Sequence, residues 1–177
     1  MMYVIWGTLT MKKLFFTFFL LLFIWQDIRT CRIQKKELYG FAVVGIFFTV
    51  ESAVRYLSAA SSDGWDWRSV GSGVLGWIVG MLPGMLLLWL EHQTDGAVGI
   101  GDGYFFVIAS WYLNGSEVWE LLMAGVFVSS LAGCIWMMCE LIKRKGGWVW
   151  REVRSRRLPF LPCLLPVWGW MLFMRVG

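Results

Sequence analysis

The sequence predicts an all-α, polytopic membrane helix bundle with about six transmembrane helices. Of the 177 residues, 58% are hydrophobic and 18% are aromatic, and the mean hydropathy is +0.62. A soluble domain of this length would not bury so much apolar surface in its core. The apolar residues fall into runs separated by short polar stretches, and a span needs roughly 20 residues. The chain therefore has room for about six spans in a single domain over residues 1–177.

The first apolar run follows Lys12 and Lys13 and is short, so a span here must borrow residues upstream. Basic residues before about a dozen apolar ones also fit a signal peptide. No small-residue cleavage site follows, and we interpret the run as a span; Met1 and Met11 are both compatible with the start of the chain. The six predicted spans cover residues 14–25, 39–59, 70–90, 102–113, 118–142 and 158–173.

Three of these spans carry residues that are unusual in a membrane helix. Glu51 and Arg55 are four residues apart on the second span, where we expect them to form an ion pair that is more often structural than mechanistic. Pro83 lies inside the third span, where a neighbouring helix can satisfy the carbonyl group that proline leaves unpaired. The last span is expected to be irregular because it contains three prolines, Pro159, Pro162 and Pro166.

The basic residues predict the orientation of the chain. If consecutive spans alternate in direction, the end of the first span and the start of the fourth lie at the same membrane face. The loops on that face, 28–38, 91–101 and 143–157, hold eleven Lys and Arg residues, and the opposite side holds four. The positive-inside rule then places this face in the cytoplasm, in the cell (inner) membrane. We interpret the net charge of +4 as topology and lipid contact, not as nucleic-acid binding.

Two aspartates are predicted to meet at this face. Asp27 ends the first span, and Asp102 begins the fourth after Gly99 and Gly101. An acid at the edge of a bilayer is costly, and it is a candidate functional residue by default. Two close carboxyls share a proton, so one can accept a proton from water while the other donates one to a peptide carbonyl. The glycines would let a substrate backbone approach closely.

These residues resemble the motifs of a known family. Gly99-Ile100-Gly101-Asp102 is similar to the G-x-G-D motif of polytopic membrane aspartyl proteases. Within that group the chain resembles the type IV prepilin peptidases: the stretch from Asp27 to Ile33 is similar to their D-x-x-x-x-x-I-P-N motif, without its proline and asparagine. The segment 158–162 (LPFLP) is similar to their closing I-P-F-x-P.

The resemblance implies a multi-pass peptidase that cleaves the leaders of prepilin-like proteins at the cytoplasmic face. Asp27 and Asp102 would be catalytic, in roles that the sequence does not divide between them. The chain lacks the zinc-binding cysteine loop of the long family members, so it resembles the short, cleavage-only forms, with no metal and no cofactor. Its four cysteines have no C-x-x-C spacing, and we expect no disulfide framework. The sequence carries no signal of oligomeric state.

The competing interpretation is a non-enzymatic membrane protein, either a small transporter or an assembly scaffold. A transporter would be expected to place its acids near mid-span, whereas Asp27 and Asp102 lie at span ends. Asp95 is interpreted as a solvated charge or a helix cap, and His92 as an interfacial polar residue. The glycines do not predict a phosphate-binding loop, because no lysine follows them.

Overall fold

The structure, a computed structural model, describes residues 2–30, 35–63, 67–94, 99–143 and 160–176. These residues form six α-helices and one short 3-10 turn, and no β-strand occurs among them. The predicted all-α bundle is therefore confirmed. The helices are α1 (Met2–Thr30), α2 (Lys35–Asp63), α3 (Trp67–Gln93), α4 (Ile100–Ala109), α5 (Gly115–Lys143) and α6 (Leu164–Val176), and the turn Leu161–Cys163 leads into α6.

Among the described residues, three helices are long and apolar enough to cross a membrane. The segments that qualify are Lys35–Arg55 in α2, Gly71–Gln93 in α3 and Gly115–Cys139 in α5. They coincide with the second, third and fifth predicted spans. Helix α1 contains the first predicted span, and α6 with its preceding turn covers the described part of the sixth.

The fourth predicted span is shorter in the structure than in the sequence analysis. Helix α4 has ten residues, so it is about 15 Å long, which is roughly half the hydrocarbon core of a bilayer. The chain turns after Ala109 because polar side chains offer the backbone other partners. Ser110 Oγ donates to the carbonyl of Val107 at 2.6 Å, and the N–H of Asn114 donates to the Glu117 carboxylate at 3.0 Å.

Helix α3 continues through Pro83 to Gln93. Proline has no N–H, so the carbonyl of Val79, four residues earlier, loses its partner within the helix. The indole N–H of Trp119 in α5 donates to that carbonyl at 3.1 Å. A neighbouring helix thus satisfies the freed carbonyl, as the sequence analysis expected.

An aromatic core joins α1, α2, α4 and α6, and the Phe105 ring of α4 stacks on Phe41 of α2 with the centroids 5.7 Å apart. The Phe41 ring of α2 stacks on Tyr112 with the ring centroids 4.6 Å apart, and the Tyr112 hydroxyl donates to the Phe41 carbonyl at 2.6 Å. Phe16 of α1 contacts Trp168 of α6 at 4.8 Å between centroids. Because one ring cluster holds four helices, the short α4 is fixed by packing and not by its own length.

Glycines let α3 approach α4 and the start of α5 closely. A Cβ built on Gly84 would lie 2.4 Å from the backbone nitrogen of Val107, and one on Gly115 would lie 2.6 Å from the carbonyl oxygen of Gly76. Both distances are far below van der Waals contact. Small residues at these positions therefore set the separation of the helices, as is common in membrane bundles.

Candidate functional site

Asp27 lies in the last turn of α1 and is only 8% exposed. The backbone N–H of Leu161 donates to its Oδ2 at 3.1 Å, and the N–H of Phe160 also donates to this carboxyl. Both donors belong to the turn before α6. Hydrogen bonds from the turn before α6 therefore fix the end of the first predicted span.

Asp102 lies in the first turn of α4 and is half-buried. Gly99 precedes the helix with extended backbone dihedrals, and its carbonyl accepts the Asp102 N–H at 3.0 Å. A Cβ on Gly99 would lie 2.9 Å from Asp102 Oδ2. A side chain at position 99 would therefore collide with the Asp102 carboxyl, and glycine avoids this collision. Gly101 lies in the same turn and is half-buried.

One helical turn away from the two aspartates, an aromatic ring of α1 contacts an aromatic ring of α4. Phe23 lies four residues before Asp27 on α1, and Phe105 lies three residues after Asp102 on α4, so each ring shares a helix face with its aspartate. The two rings meet edge to face, with centroids 5.7 Å apart, and both are fully buried. The charge of Asp27 consequently acts on Asp102. The structure thus brings together the two residues that the sequence analysis paired.

Both carboxyls lie outside the three segments that are long and apolar enough to cross a membrane, and their environments raise their pKa values. Burial, together with the charge of Asp27, raises the pKa of Asp102 to about 7. Burial also raises the pKa of Asp27, against the opposing effect of the N–H groups of Leu161 and Phe160. A pair of this kind can hold one proton between two carboxyls near neutral pH, which suits general acid–base chemistry.

Other charged residues lie near the middle of α1, about four helical turns before Asp27. Lys13 is 3.2 Å from the buried carboxylate of Glu117, and Lys12 donates to Ser52 Oγ at 2.7 Å. Lys12 precedes Asp27 by 15 residues, which corresponds to about 22 Å along a helix. These contacts therefore stabilise a different part of the bundle and do not belong to the aspartate pair.

The remaining candidates do not join the aspartate pair. The predicted ion pair of Glu51 and Arg55 forms on α2. His92 is exposed in the last turn of α3. Asp95 and the basic segment from residue 144 to 157 lie outside the described residues. Within the described parts of the chain, no group of three or more His, Cys, Asp or Glu residues could hold a metal ion.

The sequence analysis missed one part of the site, the backbone donors at Phe160 and Leu161. Backbone N–H groups have no sequence signature of their own. The signal that was present is the proline density around them, because prolines interrupt a helix and leave neighbouring N–H groups available to other acceptors. The resemblance of residues 158–162 to a family motif pointed to the same segment.

A comparison with protein-family models matches residues 14–138 to the type IV leader peptidase family. The matched region covers more than half of the chain and includes both Asp27 and Asp102. Comparisons with curated proteins and with solved structures gave no match.

Proposed function

We propose that this chain, which belongs to the type IV leader peptidase family, is an aspartyl endopeptidase that uses Asp27 and Asp102 as its acid–base pair. Its substrates would be the leaders of type IV prepilin-like proteins. The observation that carries the proposal is the convergence of two acids from separate helices, close enough for the charge of Asp27 to act on Asp102. Burial of two acids in a membrane protein is energetically costly, and such a pair is therefore a candidate for a catalytic site.

In this mechanism one carboxyl is ionised and the other is protonated. The ionised carboxylate takes a proton from water as the water oxygen attacks the peptide carbonyl carbon. The protonated carboxyl donates its proton to the carbonyl oxygen, which gives a neutral tetrahedral intermediate. Collapse of the intermediate breaks the C–N bond, and a proton passes to the leaving amine. The attack step exchanges the protonation states of the two carboxyls, and collapse restores them: the newly protonated carboxyl supplies the proton to the amine, and the newly ionised one takes a hydroxyl proton from the intermediate. No covalent enzyme intermediate forms.

Gly99 and Gly101 would give a substrate backbone access to Asp102. Gly99 lies just before α4, and Gly101 lies in its first turn. Because a glycine has no side chain, a substrate backbone can approach the enzyme backbone closely at these positions. The distribution of basic residues supports a location of the pair at the cytoplasmic face of the inner membrane. A substrate helix embedded in the same bilayer would present its leader junction at this face.

Co-expression with a prepilin-like substrate tests the proposal directly. Asp27→Asn and Asp102→Asn should each reduce processing by about 10²-fold or more, because general acid–base catalysis contributes about that much. The matched control is Glu91→Gln, which neutralises an acid near the end of α3 and should leave processing intact. Processing is followed as the mobility shift from precursor to mature protein.

The same variants separate the peptidase from a transporter or a scaffold. A purified wild-type protein in detergent should cleave a leader peptide without any other protein, whereas a scaffold would need a separate protease. Unchanged processing by either asparagine variant, at equal protein levels, would refute the catalytic pair.

A further inference from the structure

The two aspartates have different hydrogen-bonding environments. Asp27 accepts the N–H groups of Leu161, at 3.1 Å, and of Phe160. For Asp102, the influences present are burial and the charge of Asp27, and no hydrogen bond from a described residue reaches its carboxyl. An N–H donor binds a carboxylate more strongly than a neutral carboxylic acid, since the bond to the anion is charge-assisted. The asymmetry therefore favours one arrangement of the shared proton.

We propose that the backbone N–H groups of Phe160 and Leu161 hold Asp27 as the ionised member of the pair. Asp27 then takes the proton from water, and Asp102 donates its proton to the scissile carbonyl. The inference rests on the proposed peptidase function and adds to it a division of roles and a positioning segment. Phe160 and Leu161 act through Asp27 and are positioning residues.

The segment that carries the donors is itself firmly held. The N–H of Cys163 donates to the Phe160 carbonyl at 3.0 Å, which closes the turn. Leu161 and Leu164 are fully buried, and the Phe160 ring packs against Phe106 of α4 with centroids 6.3 Å apart. The donors are thus oriented by contacts independent of Asp27, so they are in place before the carboxylate ionises.

Helix α6 ties the same segment to α1. The indole N–H of Trp168 donates to Thr17 Oγ1 at 2.8 Å, on the helix that carries Asp27. Leu164 also packs tightly over α5: a Cβ on Gly125 would lie 2.3 Å from Leu164 Cδ2. Residues 160–163 and α6 are therefore packed firmly against the helices that form the site.

Replacement of a single amide by an ester tests the role of the N–H group without changing a side chain. The α-hydroxy analogue of leucine at position 161 removes the donor to Asp27. The matched control is the α-hydroxy analogue of leucine at position 172, which removes an N–H inside α6 and leaves the turn with its donors intact. Cys163, whose thiol lies within reach of the Asp27 charge, is unchanged in both esters. Cleavage of a leader peptide is then measured against pH for both esters and for the wild-type protein.

The ester at position 161 should move the acidic limb of the activity profile to higher pH. Loss of a donor to the carboxylate makes Asp27 harder to ionise, by about one pH unit for one charge-assisted hydrogen bond. At pH values below the shifted limb, kcat should be lower than in the wild-type protein, while KM stays unchanged. The ester at position 172 should leave the limb in place.

Three results would overturn the inference. The first is an acidic limb that stays in place with the ester at position 161. The second is an equal shift with the ester at position 172, because the effect would then come from the loss of any backbone N–H in this part of the protein. The third is movement of the alkaline limb instead, which would make Asp27 the proton donor. Each of these leaves the peptidase function standing as long as Asp27→Asn and Asp102→Asn abolish cleavage.

Discussion

The indole N–H of Trp119 donates to the carbonyl of Val79, which is the carbonyl that Pro83 leaves without a partner in its own helix. The contact joins α5 to α3 at a point where the backbone of α3 would otherwise be unsatisfied. In an apolar environment an unpaired carbonyl is costly. A single tryptophan therefore allows a proline inside a membrane-spanning helix.

Trp119→Phe should destabilise the protein by about 1–3 kcal/mol, because it leaves the Val79 carbonyl without a donor. The free energy of unfolding in detergent measures the loss. The same substitution made together with Pro83→Ala should cost much less, since alanine at position 83 restores the N–H within the helix. A double-mutant cycle isolates this coupling from the packing changes that each substitution makes alone. Additive costs in the cycle would contradict the account.

The sequence was sufficient to predict the helical bundle, and it predicts that Asp27 and Asp102 lie at one membrane face. Apolar runs define membrane helices, and the alternation of spans is enough to bring two span ends to one face. The length of α4 was not predictable in the same way. Its end involves local hydrogen bonds of Ser110 and Asn114 to partners three residues away, and the apolar pattern that defines a span does not show where such bonds replace those of the helix.

Long-range contacts were also beyond the sequence. Lys13 was interpreted as a topology signal, but in the structure it lies 3.2 Å from the buried Glu117 of α5. The partner of Asp27 at Leu161 is 134 residues away along the chain. Neither contact has a fixed spacing or a motif, because each depends on how α1 packs against later helices.

The pair of Lys13 and Glu117 should be worth more than a surface ion pair. Lys13→Met removes the cation that lies 3.2 Å from the buried Glu117 carboxylate, and this should cost about 3–5 kcal/mol. The matched control is Lys13→Arg, which keeps a cation beside Glu117 and should cost much less. Chemical unfolding in detergent compares the two variants. Similar losses in both would show that the cost comes from packing at position 13 and not from the charge of Lys13.

Gly84→Ala should impair both stability and cleavage. The new Cβ would lie 2.4 Å from the Val107 backbone nitrogen and would force α4 away from α3. Because Asp102 lies in the first turn of α4, displacement of this short helix should also separate the two carboxyls. Gly73→Ala is the matched control on the same helix, since its Cβ would meet nothing within 4 Å. The control should be stabilised by about 0.5–1 kcal/mol and should cleave normally; equal cleavage by both variants would argue against a role of this packing in the site.

The stability of the protein should fall as pH rises from about 4 to about 7. Burial and the Asp27 charge raise the pKa of folded Asp102 to about 7, from an ordinary value of 3.8. Between these values the folded state binds more protons than the unfolded state, so each rise in pH favours unfolding, with a slope of up to about 1.4 kcal/mol per pH unit for one group. Above pH 7 both states have lost this proton, and the contribution becomes constant.

Asp102→Asn should remove most of this slope and should make the protein more stable than the wild type at pH 8. The reason is that asparagine has no proton to lose and no charge to bury beside Asp27. Thermal unfolding of the two proteins across pH 4 to 8 gives the comparison, and Glu91→Gln, which leaves the pair intact, should keep the wild-type slope. An Asp102→Asn protein that loses stability with pH as steeply as the wild type would show that Asp102 does not hold a proton near neutral pH. The acid–base pair would then lack the protonated member that the chemistry needs.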